Sequence, residues 1–256
     1  MISTMNKTRI IIEKAASVLF AIAIWQIGAM ALQKEILLAS PVTTAGRLFS
    51  LVLEPDFWGA VSFSFLRIIL GFALSLAAGI ILAVISSRFH IAEVLLWPFI
   101  TVIKSTPVAS FIILCLVWLS SMNLSVFISF LMVLPVVYSN VLQGIKTTDM
   151  KLLEMAKVFR VTPVKKALYI YLPHLKPYIL SACSVSLGLS WKAGIAAEVI
   201  GIPTGSIGEK LYQAKVYLST PDLFAWTVVI IVISILFEKL FTFSLSKLYS
   251  RLGDKG

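Results

Sequence analysis

Residues 61–87 contain a single ionisable side chain, Arg67, among residues that are otherwise apolar or small. A helix of that length crosses the ~30 Å hydrocarbon core of a bilayer, which takes ~20 mainly apolar residues. Five further stretches read the same way, at about 15–32, 106–119, 124–144, 178–200 and 223–243. In lipid a backbone polar group finds no water, so spans of this kind are helices whose hydrogen bonds close within the segment. The expectation is an all-α polytopic membrane protein with six transmembrane helices, forming one transmembrane domain over residues 1–256. With 59% hydrophobic and only 13% charged residues, a water-soluble fold is excluded on composition as well.

The segments between these runs are punctuated. The apolar run at 15–32 is too long for the core of a leader peptide and lacks a small-residue cleavage pattern, so it should remain as the first membrane helix. Ser40-Pro41 and Glu54-Pro55-Asp56 break residues 33–60, where Leu48, Leu51 and Val52 give a short helix an apolar face. Phe57 and Trp58 read as anchors at the membrane surface. The third span can be lengthened by the apolar run 92–103, interrupted by Pro98. A turn at 120–123 leads into the fourth span, in which Pro135 predicts a kink. Beyond the fifth span, Pro203-Thr204-Gly205 and a short helix at 206–217 suit an outer segment that meets a receptor or lids the external mouth.

Charge gives the orientation. With six spans and both ends inside, sixteen Lys/Arg fall on the inner side and five on the outer, an asymmetry that the positive-inside rule favours. The formal charge of +10 therefore reads as orientation in an anionic membrane. The cations lie beside apolar spans with no aromatic-rich polar platform, so nucleic acid is not an expected partner. Cys115 and Cys183 each sit inside an apolar run as small hydrophobes, and His90 and His174 stand alone, so no disulfide or metal site is assigned.

The inner hairpin at about 146–177 holds seven of those cations: Lys146, Lys151, Lys157, Arg160, Lys165, Lys166 and Lys176. Two short helices are legible in it. In the first, at about 149–159, Leu152, Ala156 and Phe159 share a face. In the second, Thr162 is the N-cap and Pro163 the first helical residue, and Val164, Ala167, Leu168 and Tyr171 make an i, i+3, i+4, i+7 stripe that ends before Pro173. An apolar stripe on a wet loop requires a partner surface or the protein's own core.

These residues resemble the permease subunits of binding-protein-dependent ABC importers. Their cytoplasmic motif is Glu-Ala-Ala, three residues, Gly, nine residues, Ile, any residue, Leu-Pro; Glu154, Ala156, Ile170, Leu172 and Pro173 match it in spacing. Met155 replaces the first Ala, and Arg160 stands where the family has Gly. A left-handed turn at that point costs a residue with a Cβ ~1 kcal/mol, so either the turn is built differently or the strain is tolerated. Further positions resemble the nitrate, sulfonate, taurine and bicarbonate branch: Leu38 to Pro41, Ser64 with Arg67, Gly71-Phe72, Thr106-Pro107 with Ala109, Asp149, Pro177 to Ile179, and Trp191 with Ala197-Glu198.

The resemblance implies a type I ABC importer permease fold that moves a small anionic solute inward across the plasma (inner) membrane of a prokaryote, multi-pass, with both termini cytoplasmic. It implies a homodimer or a pairing with a similar permease, two ATP-binding subunits inside and a substrate-binding protein outside. It also implies that Leu153, Glu154, Met155, Ala156, Lys157, Phe159, Arg160, Val161, Ile170, Leu172 and Pro173 form the surface gripped by the ATPase. The chain has no Gly-rich loop ending in Lys-Ser/Thr, so ATP and Mg belong to the partner, and no cofactor is expected on this chain.

Two spans carry small residues at every fourth position, which allow close helix approach. They are Gly71, Ser75, Gly79, Ala83 and Ser87 on the second, and Ala182, Ser186, Ser190 and Gly194 on the fifth, with Glu198 next in the series. Lys192 lies deep in the fifth span, where a charge costs ~2.5–3.5 kcal/mol, and such a residue faces a polar cavity or a partner. Six residues apart, Lys192 and Glu198 should not pair unless the helix breaks near Gly194. Two readings stand. Lys192, with Trp191 beside it, lines the translocation pathway and favours anionic cargo while Glu198 helps form the outer gate, or these charges pair between helices without touching solute. An ion-coupled secondary transporter or channel is the rival class; it calls for duplicated halves, and none is visible. No cluster of nucleophile, base or metal ligands lies within the spans, so no catalytic residue is assigned.

Overall fold

The computed structural model describes residues 2–253, and every regular element among them is helical. Lys255, one of the inner cations, lies outside the described residues. The order is α1 (Ile2–Leu32), α2 (Pro41–Val52), α3 (Pro55–Arg88), α4 (His90–Ser105), α5 (Val108–Cys115), α6 (Ser121–Lys146), α7 (Met150–Val158), α8 (Pro163–Lys166), a π-helical turn (Ala167–Tyr171), α9 (Leu172–Gly201), α10 (Ile207–Val216) and α11 (Thr220–Gly253).

Five helical segments are long and apolar enough to cross a membrane: Ile12–Leu32, Pro55–Arg88, Ser121–Lys146, Pro163–Gly201 and Thr220–Lys247. The third expected span differs from a single helix. It is the pair α4 and α5, bent by 106° at their junction, and only when the pair counts as one span are there six. The eight residues of α5 reach ~12 Å, well short of a bilayer. The break falls at Thr106, held extended (ψ 132°) by Pro107, whose ring disfavours a helical residue before it. Pro98 is carried inside α4 without ending it. The expected turn at 120–123 is also shorter, since Ser120 is an extended N-cap and α6 begins at Ser121.

The largest departure concerns the second hairpin helix, which does not stop at Pro173. Residues 163–201 run on continuously through the π turn. Pro173 brings no N–H and its ring crowds the carbonyl one turn back, and a π turn absorbs both by widening the ladder there. Leu172 N–H accordingly donates to the Ala167 carbonyl five residues back.

The chain divides into two compact units, residues 1–58 with 210–229 and residues 59–209 with 230–256. In the first, Ser40 caps α2 by accepting from Thr43 N–H at 3.1 Å, with Pro41 at the first helical position. Of the three apolar positions expected on its face, Leu51 is buried while Val52 is exposed. Trp25 Nε1 donates to the Ala39 carbonyl at 3.0 Å, and its ring stacks on Phe224 at 5.2 Å. Arg47 bonds Glu54 at 2.8 Å and also Asp222. Phe57 is buried and stacked on Trp226 at 5.3 Å rather than anchoring at a surface; only Trp58 is exposed.

In the second unit the core lies where α3, α6, α9 and the later part of α11 meet, around Phe72, Val133, Val137, Val141, Cys183 and Leu187. The small-residue seams face inward there. A Cβ on Gly71 would stand 2.4 Å from the Val126 carbonyl oxygen, and one on Gly79 would stand 2.7 Å from Val137 Cγ1, so α3 lies directly on α6. Gly194 does the same for α9, with Ile68 of α3 and Ser129 of α6 at 2.6 and 2.7 Å from its absent Cβ. Ser87, at the end of the α3 series, is exposed. Both cysteines are buried and free.

Candidate functional site

The hairpin begins from a fixed base. Lys146 at the end of α6 bonds both oxygens of Glu93 in α4, at 2.6 and 2.7 Å. Thr147 Oγ1 meets Tyr178 Oη of α9 at 2.8 Å. Gly144 is pressed against Leu175 and Tyr178, which would lie 2.6 and 2.8 Å from a Cβ. The end of α6 and the start of α9 are thus locked before the chain leaves into α7.

Asp149 caps α7 by accepting from Lys151 N–H at 2.8 Å. At its other end Arg160 adopts φ +50°. Arg160 N–H donates to Lys157 O at 3.1 Å and Val161 N–H donates to Ala156 O at 2.9 Å. That pair of bonds is the Schellman closure, normally made with glycine in the left-handed position. Arg160 therefore tolerates the strain, and the family turn is kept without the family residue. The closure then delivers the chain to Thr162 and Pro163, the start of α8, although the Thr162 side chain makes no capping bond.

Ala156 is buried at 3% exposure, whereas Phe159 and Val158 are 74% and 77% exposed and Met155 is half-exposed. Leu152, Val164 and Leu168 are exposed as well. Glu154, Lys157 and Arg160 stand free around this apolar flank, and Leu153, Ile170 and Leu172 are half-buried behind it. The hairpin thus presents a greasy strip, ringed by charge, on a helix whose geometry is closed at both ends. Such a strip is suited to being covered by another protein surface.

The second group of residues lies on α9. This helix is unbroken at Gly194, and Lys192 and Glu198 face different ways, as their spacing requires. Lys192 is on the open stripe of α9 with Val185, exposed in this chain although it is deep in a span. Trp191 is buried against Phe65, with ring centroids 6.0 Å apart, and its Nε1 has no partner. Glu198 is wholly buried. Its Oε2 accepts from Ser64 Oγ at 2.6 Å and from Gly208 N–H at 3.4 Å, at the start of α10, while Ser64 Oγ also accepts from Ile207 N–H at 2.9 Å. Glu198 Oε1 has no hydrogen bond, and neither has the buried Ser125 Oγ of α6. A carboxylate at a helix N-terminus satisfies amides that otherwise have no acceptor. Gly208 fits because a Cβ there would meet the Glu198 backbone carbon at 2.4 Å.

Spacing alone did not pair Ser64 with Glu198, which are 134 residues apart. It also passed over Glu238, an acid in an apolar run that accepts from Ser184 Oγ at 2.6 Å. The signal for both was an ionisable residue inside a span, which must find a partner.

Five helices long and apolar enough to cross a membrane, six if the bent pair α4 and α5 counts as one span, together with an exposed cationic elbow are features of a membrane-embedded permease. The family described as "Binding-protein-dependent transport system inner membrane component" matches residues 75–252. The chain belongs to that family and is a permease subunit of an ABC-type importer. It is 28% identical over 214 residues to the putative aliphatic sulfonates transport permease protein SsuC of Bacillus subtilis, covering 83% of this chain and 77% of that one. It is 22% identical over 220 residues to the taurine transport system permease protein TauC of Escherichia coli, covering 84% and 80%. Relatives named for nitrate import and bicarbonate transport also match. Among solved structures, an amino acid ABC transporter crystallised with histidines shares the fold at a TM-score of 0.52 and 18% identity, covering 78% of this chain and 94% of that one.

Proposed function

We propose that this permease carries a small anionic solute of the sulfonate, taurine, nitrate or bicarbonate type into the cytoplasm, driven by ATP hydrolysed on a separate subunit. The relatives named above support the solute class. The single observation that carries the mechanism is the exposed strip Met155, Val158 and Phe159 at the end of a helix closed by Arg160. An ATPase subunit grips that strip; the locked base at Gly144, Tyr178 and Lys146 passes its movement into α6 and α9. Continuity of residues 163–201 supports this, since a push on the second arm of the hairpin has no hinge in which to dissipate before the membrane.

In this reading the hairpin and both termini are cytoplasmic, the placement that the Lys/Arg asymmetry favours. The permease acts as a homodimer or with a similar subunit, with two ATPases inside and a solute receptor outside. Lys192 faces the path enclosed between two permeases and attracts the anion, while Trp191 and Glu198 support it from behind. The test is Phe159→Asp with Phe159→Leu as control, in the reconstituted complex. Loss of solute-stimulated ATP hydrolysis and uptake in the first and retention in the second is expected; normal coupling in Phe159→Asp overturns the reading.

A further inference from the structure

A cavity of about 600 Å³ opens beside the hairpin, within the second unit. Its walls are apolar, with Val84 from α3, Ile145 from α6, and Leu172 and Leu175 from the start of α9. Two cations stand among them, Arg88 at the last position of α3 and Lys166 at the last position of α8, and no acid lines the cavity. Among the described residues neither cation has a carboxylate within ion-pair distance. Lys166 instead lies 5.8 Å from the centre of the Tyr171 ring, in the π turn that forms part of the same wall. The coupling surface described above does not include these cations, and Arg88 stands on a different helix from it.

Position selects the occupant. Arg88 closes one candidate span, Pro55–Arg88, and the cavity's other side is the beginning of another, Pro163–Gly201. With the hairpin inside, the cavity lies at the inner ends of these two helical segments, apolar along the helices and positive where they end. A free inorganic anion would use the charge and leave the apolar walls wet; a neutral lipid would cover those walls and leave two cations without a counter-charge. We infer that this cavity is a binding site for an anionic phospholipid of the inner leaflet, its phosphate between Arg88 and Lys166 and an acyl chain along Val84, Ile145, Leu172 and Leu175. Basic pockets between helices on the cytoplasmic side are suited to such headgroups. The inference rests on the cytoplasmic placement of the hairpin proposed above. A lipid seated there spans α3, α6 and the moving arm of the hairpin, so the composition of the inner leaflet would bias how easily that arm swings.

The test is lipid retention by the full-length permease, purified in detergent without nucleotide and titrated with phosphatidylglycerol or phosphatidylcholine under native mass spectrometry. Phosphatidylglycerol is expected to bind preferentially. Arg88→Gln with Lys166→Gln is expected to weaken it about thirty-fold, from roughly five-fold per cation. Arg88→Lys with Lys166→Arg should retain it, and Val84→Trp, which fills the cavity with both charges intact, should lose it. Glycerol phosphate, which has the headgroup without the chain, should not compete. Equal binding of both lipids, indifference to the charge-removing pair in a variant that melts normally, or competition by glycerol phosphate overturns the inference. Because no nucleotide or solute is present, failure here leaves the coupling proposal standing, and a normal result here does not rescue it.

Discussion

Val161 donates its backbone N–H to the carbonyl of Ala156 at 2.9 Å, reaching back over an Arg160 held at φ +50°. The bond closes the end of α7 and turns the chain toward α8. It also means that the turn of the coupling loop is dictated by hydrogen-bond geometry more than by the glycine that usually occupies it.

Arg160→Gly should therefore stabilise the hairpin by about 1 kcal/mol, since the left-handed conformation costs glycine nothing sterically. Thermal unfolding of the purified permease and protease sensitivity of the 150–161 segment would measure it. A lower melting temperature would mean that the Arg160 side chain supplies more than the strain removes.

Removing the hydroxyl of Ser64 leaves the buried Glu198 carboxylate with the long Gly208 bond alone and takes the acceptor from Ile207 N–H. Ser64→Ala is expected to cost about 1–3 kcal/mol, the penalty of an unsatisfied buried polar group. Ser64→Thr keeps the hydroxyl and should lie nearer to the parent in melting temperature. Equal losses in the two would assign the effect to packing instead.

A methyl group at position 71 would collide with the Val126 carbonyl oxygen, which cannot rotate away. Gly71→Ala should separate α3 from α6 and destabilise the protein by about 1–3 kcal/mol despite its better helix propensity. Gly59→Ala, where nothing lies within 4 Å of the added carbon, is the control and should be neutral or stabilising by unfolding assay.

Lys192 offers the sharpest functional readout. If the anion passes this side chain, Lys192→Met should weaken uptake affinity about tenfold, equivalent to ~1.4 kcal/mol, while Lys192→Arg keeps most of it. Concentration-dependent uptake in proteoliposomes decides, and parent-like kinetics in both variants would take Lys192 out of the pathway.

The sequence by itself determined that the chain lives in a membrane, because no other solvent accepts so many apolar side chains, and where the two short hairpin helices begin, because the Asp149 cap and a first-turn Pro163 act locally. It also marked the close-packed seams, since only small residues let helices approach, and flagged Lys192 and Glu198, since a charge in a span must be accounted for. Tertiary structure alone decided the rest. The sharp bend between α4 and α5 and the fusion of the second hairpin arm to α9 turn on how Pro107 and Pro173 are accommodated, and both proline outcomes satisfy the same local pattern. The bond from Ser64 to Glu198 depends on three helices meeting at one height, a contact that periodicity along one segment does not encode.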